Sequence, residues 1–346
     1  MDGTILVFLI QDGLTNGAIY ALIGLALVLV FAVTRVIFIP QGEFVAYGAL
    51  TLATLDSGTV PGTAMLTFFA GLAAFIFQTW NGRRSLTLSG TLRHLGAYVI
   101  LPAVVWGVAG AVAPLNPGVA VRILLTLAIV VPLGPYLYRI AFQPLADASV
   151  LVLLIAAVGV HLSMTGLGLL FFGAEGLRAQ PISRASLSLG PLIVSGQSIA
   201  IYVATIAIMV ALYLFIGRTL IGKALRATAI NRRGAQLVGI RTSLSGSVAF
   251  ALAAFVGALC GIMIAPVTTI YYDTGFIIGL KGFVAAIIAG LASFPIAVAG
   301  ALFVGLVESF ASFFASNFKE VILFAMLIPV LIWRSLAAPN SDERED

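Results

Sequence analysis

Long apolar segments follow one another along the whole chain, and each ends at Gly, Pro or a charged residue. About 20 apolar residues span the roughly 30 Å hydrocarbon core of a bilayer as a helix, whereas strands of a membrane barrel alternate polar and apolar positions. These segments do not alternate, so the pattern predicts an all-α polytopic membrane protein. We count about eleven segments, at residues 5–34, 40–55, 62–79, 95–113, 118–138, 150–172, 197–217, 244–266, 280–293, 296–314 and 320–334.

Three of these segments, at 40–55, 280–293 and 320–334, are short for a full crossing. Non-helical backbone at membrane depth is tolerated where protein or a water-filled cavity covers it, so short segments are candidates for half-helices or re-entrant turns. The sequence therefore predicts about 8–11 transmembrane or re-entrant helices.

Composition agrees with this class. Hydrophobic residues make up 61% of the chain, charged residues only 9%, and the mean hydropathy is +1.14, against about 25% charged residues in soluble domains. The single cysteine, Cys260, excludes intrachain disulfides and cysteine metal clusters and is expected to be a packed core residue. The sequence pI near 9.6 does not indicate nucleic acid, because the basic residues flank membrane segments.

The basic residues predict the orientation. Arg83, Arg84 and Arg93 fall in one connection, Arg139 begins another, and six of the eighteen basic residues lie between 218 and 241. With eleven crossings these connections share one side, and lysine and arginine mark the cytoplasmic side. We expect loop 218–241 and the C-terminus to be cytoplasmic, with one transmembrane domain at 1–336 and a polar tail at 337–346.

Two stretches share a Phe-Val-Ala core and resemble each other, "GEFVAYGAL" at 42–50 and "KGFVAAIIAGL" at 281–291. In the predicted topology they enter the membrane from opposite faces, as inverted repeats of transporters do. Gly and Ala are common in any membrane helix, so chance explains this similarity as well as a repeat does.

No enzyme motif is found. "GRTLIGKA" at 217–224 approaches a P-loop, but Ala224 stands where Mg²⁺ binding needs Ser or Thr, and the context is the end of a membrane helix. His94 and His161 are the only histidines and are too isolated in the sequence to predict a metal site or a catalytic triad. We therefore expect no catalytic residue, no cofactor and no metal.

Polar residues inside the apolar segments are the better functional leads, because a charge in hydrocarbon needs a partner or a water-lined path. Each of these residues can instead have a role in helix packing. For Lys281, that structural role would be an ion pair with Glu43 or Glu308. The candidates for a translocation path are Asn16, Tyr20, Gln41, Glu43, Lys281 and Glu308.

Three blocks follow one another along the chain: "DGLTNGAIYALIGLALVLVFAVTRVIFIPQGEFVAYGAL", "GKALRATAINRRGAQLVGI" and "GLKGFVAAIIAGLASFPIAVAGALFVGLVES". In this order they resemble the permease subunits of branched-chain amino-acid ABC importers, of the Liv H-type. The resemblance covers roughly residues 1–56 and 136–336.

The resemblance implies a transport subunit without its own motor. In such importers a second permease, often an M-type chain, two cytoplasmic ATPases and a periplasmic binding protein complete the complex in the bacterial inner membrane. Membrane lipid is the other expected partner, and nucleic acid is not one. The cytoplasmic loop of the family couples to the ATPase, which maps here onto Gly222, Ala224, Leu225, Arg226, Ala227, Arg232, Ala235, Gly239 and Ile240.

The chain departs from the family in three places. Pro40-Gln41 stands where the family usually has Ala-His, and Asn231 stands before Arg232 where the family usually has an acidic residue. Residues 78–117 have no counterpart in the recognised pattern, so we predict an insertion there. Urea, amides and organic acids stay open as substrates. A self-sufficient secondary transporter or channel stays open as a different class of function.

Overall fold

The computed structural model describes residues 3–81, 88–183, 185–189 and 192–337, and most of them are helical. Arg83, Arg84 and the tail from residue 338 onward lie outside the described residues, as does part of the predicted insertion at 78–117. The first half of the chain forms α1 Gly3–Thr34, α2 Gln41–Asp56, α3 Gly62–Asn81, α4 Leu88–Leu95, α5 Leu101–Val112, α6 Val119–Val130, α7 Leu133–Leu137 and α8 Val150–Phe172. The second half forms α9 Gly196–Arg218, α10 Leu220–Ile230, α11 Arg232–Leu237, α12 Thr242–Ile264, α13 Thr274–Ile288, α14 Phe294–Phe314, α15 Lys319–Ala325 and α16 Leu327–Ala337.

Short irregular helices join some of these elements into longer ones. The π-helical turn Gly96–Ile100 links α4 to α5, and Tyr138–Phe142 extends α7. Between α8 and α9, strands β1 Ser186–Leu189 and β2 Leu192–Ser195 pair as an antiparallel hairpin with Ser186 opposite Ser195.

Eight helical stretches within the described residues are long and apolar enough to cross a membrane. One of them, Thr91–Leu115, lies within the predicted insertion. The three segments predicted to be short form α2, α13 and the broken pair α15–α16. The prediction of an all-α polytopic membrane protein with 8–11 transmembrane or re-entrant helices is confirmed.

Polar contacts sort the helix ends into two groups. At one end Arg122 pairs with Asp56 at 2.6 Å, Asp56 accepts from the Gln180 amide at 2.8 Å, and Arg178 donates to the Pro266 carbonyl at 2.9 Å. At the other end Arg232 donates to the Ala146 carbonyl at 2.7 Å. The connections near 56, 180 and 266 thus lie together, opposite the 218–241 loop. Which end faces the cytoplasm stays a prediction.

The core consists of α1, α2, α12, α13 and α14, whereas α8 and α9 lie at the periphery with mostly exposed apolar faces. Glycines allow the core helices to touch backbone to backbone. A Cβ at Gly305 on α14 would lie 2.3 Å from the Gly13 carbonyl oxygen and 2.5 Å from the Gly17 nitrogen on α1. Small residues at helix contacts are a common device of membrane bundles, because van der Waals packing replaces the hydrophobic effect there.

The two similar stretches, at 42–50 and 281–291, belong to helices α2 and α13, which contact each other. A Cβ at Gly42, at the start of α2, would lie 1.9 Å from the carbonyl oxygen of Gly275 on α13. Their relation as an inverted repeat stays a prediction.

We expect Gly305→Ala to lower the thermal stability of the purified chain, because the added methyl group would overlap backbone atoms that cannot rotate away. The cost should lie near the upper end of the about 1–3 kcal/mol typical of overpacking. Gly110→Ala on α5 is the matched control, since a Cβ there meets nothing within 4 Å. Equal unfolding midpoints for the two variants in detergent would contradict this view of the core.

Candidate functional site

Lys281 lies at the centre of a buried polar network that joins three core helices to α15. Its ammonium group donates to Oε1 of Glu308 on α14 and lies 3.3 Å from Oε1 of the partly exposed Glu320. The Tyr20 hydroxyl on α1 donates to the other oxygen of Glu308 at 2.5 Å. Each oxygen of Glu308 therefore has a donor, and the Lys281 charge is neutralised locally.

Such a network is typical of a structural connection. Lys281 is only 6% exposed and Glu308 only 7%, and a buried charge is tolerated when it is paired and hydrogen-bonded. Of the two ion pairs that the sequence left open, Lys281 forms the one with Glu308. Asn16, one helical turn before Tyr20, is half-buried.

Glu43 lies in a second polar cluster, next to the peripheral helix α8. Its side chain is fully buried, and its Oε1 lies 3.0 Å from Nδ1 of His161. His161 and Thr165 both lie close enough to interact with the carboxylate, but within the described residues neither oxygen of Glu43 has a donor of good hydrogen-bond geometry. The His161 ring stacks on Phe276 of α13, with ring centroids 4.6 Å apart. The sequence did not predict this pair, because Glu43 and His161 are 118 positions apart, the difference of their residue numbers.

Gln41 is also fully buried, two residues before Glu43. Its amide nitrogen donates to the Ala253 carbonyl on α12 at 3.0 Å. Its Oε1 has no hydrogen-bond partner in the described part of the chain. The start of α2 therefore combines a tether to α12 with unused hydrogen-bonding capacity at Gln41 and Glu43.

The basic loop folds as two short helices with well-defined starts. The Thr219 hydroxyl accepts from the Gly222 amide at 2.9 Å and caps α10, and the Asn231 side chain accepts from the Gly234 amide at 2.8 Å and caps α11. Asn and Asp are both preferred at this position because each supplies a side-chain oxygen to an unpaired amide. Asn231 therefore caps α11 without adding a negative charge to the loop.

The loop ends in a Schellman motif. Gly239 has a φ of 84°, its amide donates to the Gln236 carbonyl, and the Ile240 amide donates to the Ala235 carbonyl at 2.9 Å. A residue with positive φ after a helix is usually glycine, because a Cβ is unfavourable there. Ala235, Gly239 and Ile240 thus determine where α11 stops.

Three further coupling-loop candidates hold the loop against the bundle. Leu225 is 1% exposed, and a Cβ at the buried Gly222 would lie 2.1 Å from the Phe215 carbonyl oxygen on α9. Arg232 reaches the end of the neighbouring connection at Ala146, and Asp147 lies 3.9 Å from it. Ala224 and Ala227 are half-buried, while Arg226 is exposed and lies beside Gly217 of α9.

The second half of the loop exposes residues that sequence analysis did not select. Leu237 is 89% exposed, Ile230 79% and Val238 76%, and Arg233 between them is exposed as well. We call these four residues the docking face. Contiguous exposed apolar patches are characteristic of interaction sites, and these side chains are candidates for such a contact. In the sequence, these residues could have been found because they are apolar side chains within the most basic segment of the chain.

These features define a polytopic membrane protein built on a tightly packed helical core, with an exposed loop suited to a protein partner. The chain matches the family described as "Branched-chain amino acid transport system / permease component" over residues 9–331 and belongs to it. It is therefore a membrane permease component, as the resemblance predicted.

Individual relatives agree with this assignment. LivH of Escherichia coli (strain K12), a high-affinity branched-chain amino acid transport system permease protein, is 25% identical over 341 residues, which is 96% of this chain and 95% of LivH. BraD of Pseudomonas aeruginosa, named in the same way, is 29% identical over 208 residues, 58% of this chain and 68% of BraD. The autoinducer 2 import system permease protein LsrC of Yersinia enterocolitica is 30% identical over 139 residues, 40% of this chain and 38% of LsrC. No solved structure matches the chain significantly.

We expect Lys281→Met to destabilise the chain by about 3–5 kcal/mol, because it leaves Glu308 buried without its cation. The double variant Lys281→Met/Glu308→Gln should recover most of that loss, since no unpaired charge then remains on either residue. Lys223→Met, on the exposed side of α10, is the control for loss of a lysine charge. The unfolding midpoint in detergent measures all three, and a Lys281→Met chain as stable as the parent would refute the structural role.

Proposed function

We propose that the chain is the membrane permease subunit of an ATP-driven ABC importer for branched-chain and other hydrophobic amino acids. Membership of the permease family over residues 9–331 carries this proposal. The substrate follows the names of the relatives that cover most of the chain.

The proposed complex divides the work among several chains. A second permease, an M-type chain in a heterodimer, completes the pathway, two cytoplasmic ATPases supply the energy, and a periplasmic binding protein delivers the substrate. In this arrangement the chain lies in the bacterial inner membrane, with loop 218–241 and the C-terminus in the cytoplasm. Residues 1–336 then act as one permease domain, followed by a cytoplasmic polar tail at 337–346.

The docking face is the part of the loop that we assign to the ATPase. A short helix with exposed apolar residues can insert into a groove of a partner, and a neighbouring arginine can add charge-assisted hydrogen bonds. Gly222, Leu225, Ala235 and Gly239 would act indirectly, because they fix the position of the docking face against the bundle. ATP-driven closure of the ATPases would then favour one access state of the permeases over the other.

For the translocation path we propose the cluster at the start of α2 rather than the Lys281 network. Lys281, Glu308 and Tyr20 already satisfy one another, whereas Gln41 and Glu43 retain unpartnered oxygens. Glu43 also lies where the peripheral α8 meets the core, so a movement of α8 would expose it. A zwitterionic amino acid presents an ammonium group that such a carboxylate can receive.

Reconstitution in proteoliposomes with the second permease, both ATPases and the binding protein tests the function. We expect uptake of leucine that requires ATP and stops when the ATPases are omitted. Urea, simple amides and organic acids belong in the same assay as competing substrates. Uptake by this chain alone, abolished by uncouplers and independent of ATP, would instead establish a secondary transporter.

Within this assay Glu43→Gln should reduce uptake far more than it reduces thermal stability, and unchanged uptake would remove Glu43 from the path.

We expect Leu237→Asp to abolish co-purification of the ATPases while membrane insertion stays normal, because a buried unpaired carboxylate opposes docking. Val267→Asp is the matched control, since it places the same charge on an exposed valine at the opposite end of the bundle. The ATPases retained per permease on an affinity column measure the effect. Full retention by the Leu237 variant would place the ATPase contact elsewhere.

A further inference from the structure

A groove runs between α1, α9, α10 and α14, next to the basic loop. Its volume is about 670 Å³, within the roughly 300–1,000 Å³ of typical small-molecule sites. Its walls are almost entirely apolar, and the four helices contribute Leu29 of α1, Met209 of α9, Leu225 of α10 and Val298 of α14. The groove thus offers an extended apolar surface at the end of the membrane region.

One cation lies at the end of this groove. Arg226 of α10 lines it, and its guanidinium group lies near Gly217 of α9. Arg226 makes no ion pair with any residue that the structure describes, and the exposed Arg218 and Lys223 lie close to it in the sequence. The mouth of the groove therefore carries positive charge without a counter-charge in the described chain.

The lining selects among ligands. It contains one arginine and no acidic residue, so a zwitterionic amino acid would leave its ammonium group unpaired there. An amphiphile with an anionic head and an apolar tail matches both parts of the groove. Arginine is well suited to a phosphate, because its planar guanidinium can donate two parallel hydrogen bonds.

The groove also opens toward the bilayer. Tyr213 belongs to its lining and is 76% exposed, and the adjacent face of α9 exposes Ile206, Val210 and Leu214. This face is apolar and continuous with the groove, so an acyl chain can enter laterally from the membrane. Basic pockets between transmembrane helices on the cytoplasmic side are known to bind anionic lipid headgroups.

We propose that this groove binds one anionic phospholipid, with an acyl chain along α1, α9 and α14 and its phosphate on Arg226. The lipid contacts α10, which continues through Asn231 into the docking face. Its binding therefore stabilises the position of the coupling loop and makes that position sensitive to the charge of the membrane.

Native mass spectrometry of the purified full chain in detergent, titrated with phosphatidylglycerol or phosphatidylcholine, tests the proposal. We expect one tightly retained phosphatidylglycerol, and Arg226→Gln should weaken its binding about tenfold or more, as loss of a charge-assisted hydrogen bond implies. Arg233→Gln is the matched control, because it removes the same charge from an exposed site of the loop outside the groove. Ala229→Phe should also weaken binding, because it fills the groove and leaves Arg226 in place.

Two results would overturn the proposal. Equal weakening by Arg226→Gln and Arg233→Gln would reduce the effect to general attraction between the loop and anionic lipid. Crosslinking from Tyr213→Cys to the second permease in the assembled complex would make the groove a protein interface. The lipid measurement needs no ATPase and no transport, so it can fail while the importer proposal stands, and the reverse also holds.

Discussion

The contact between helix backbones in the core is the constraint on which the rest of the structure depends. Gly13 and Gly17 of α1 face Gly305 of α14, and Gly24 of α1 faces Gly282 of α13. In a bilayer, close packing must supply the attraction that the hydrophobic effect supplies in water. These contacts bring α1, α13 and α14 near enough for Tyr20, Lys281 and Glu308 to reach one another, so the buried charges rely on the glycines.

The two buried polar clusters differ in how completely they are satisfied. Lys281, Glu308 and Tyr20 pair within the rigid core, which is what a permanent connection requires. Glu43 and His161 meet at the contact between α2 and the peripheral α8, with poor alignment and spare acceptors. A buried group without full satisfaction costs free energy, and functional sites are where such a cost is retained. This contrast, rather than the presence of charge, separates a structural cluster from a candidate for the path.

Some residues of the basic loop define its conformation, and others are exposed to solvent or a partner. Thr219 and Asn231 start its two helices, Gly239 ends the second, and Leu225 holds the first against the bundle. With these positions fixed, Ile230, Leu237 and Val238 are left exposed on the folded loop. Arg226 then turns toward the groove beside α9 rather than toward the docking face. A loop whose motif residues are mostly structural can therefore present quite different residues to its partners.

The sequence by itself determined the class of protein, the positions of the long membrane segments, the three short ones and the location of the basic loop. These depend on local quantities, namely the hydropathy of about 20 successive residues and the charges between them. Only the tertiary structure decided that Lys281 pairs with Glu308, that Glu43 meets His161, and which loop side chains face outward. Those outcomes depend on contacts between residues far apart in the chain, and helix periodicity alone does not specify which helix faces which.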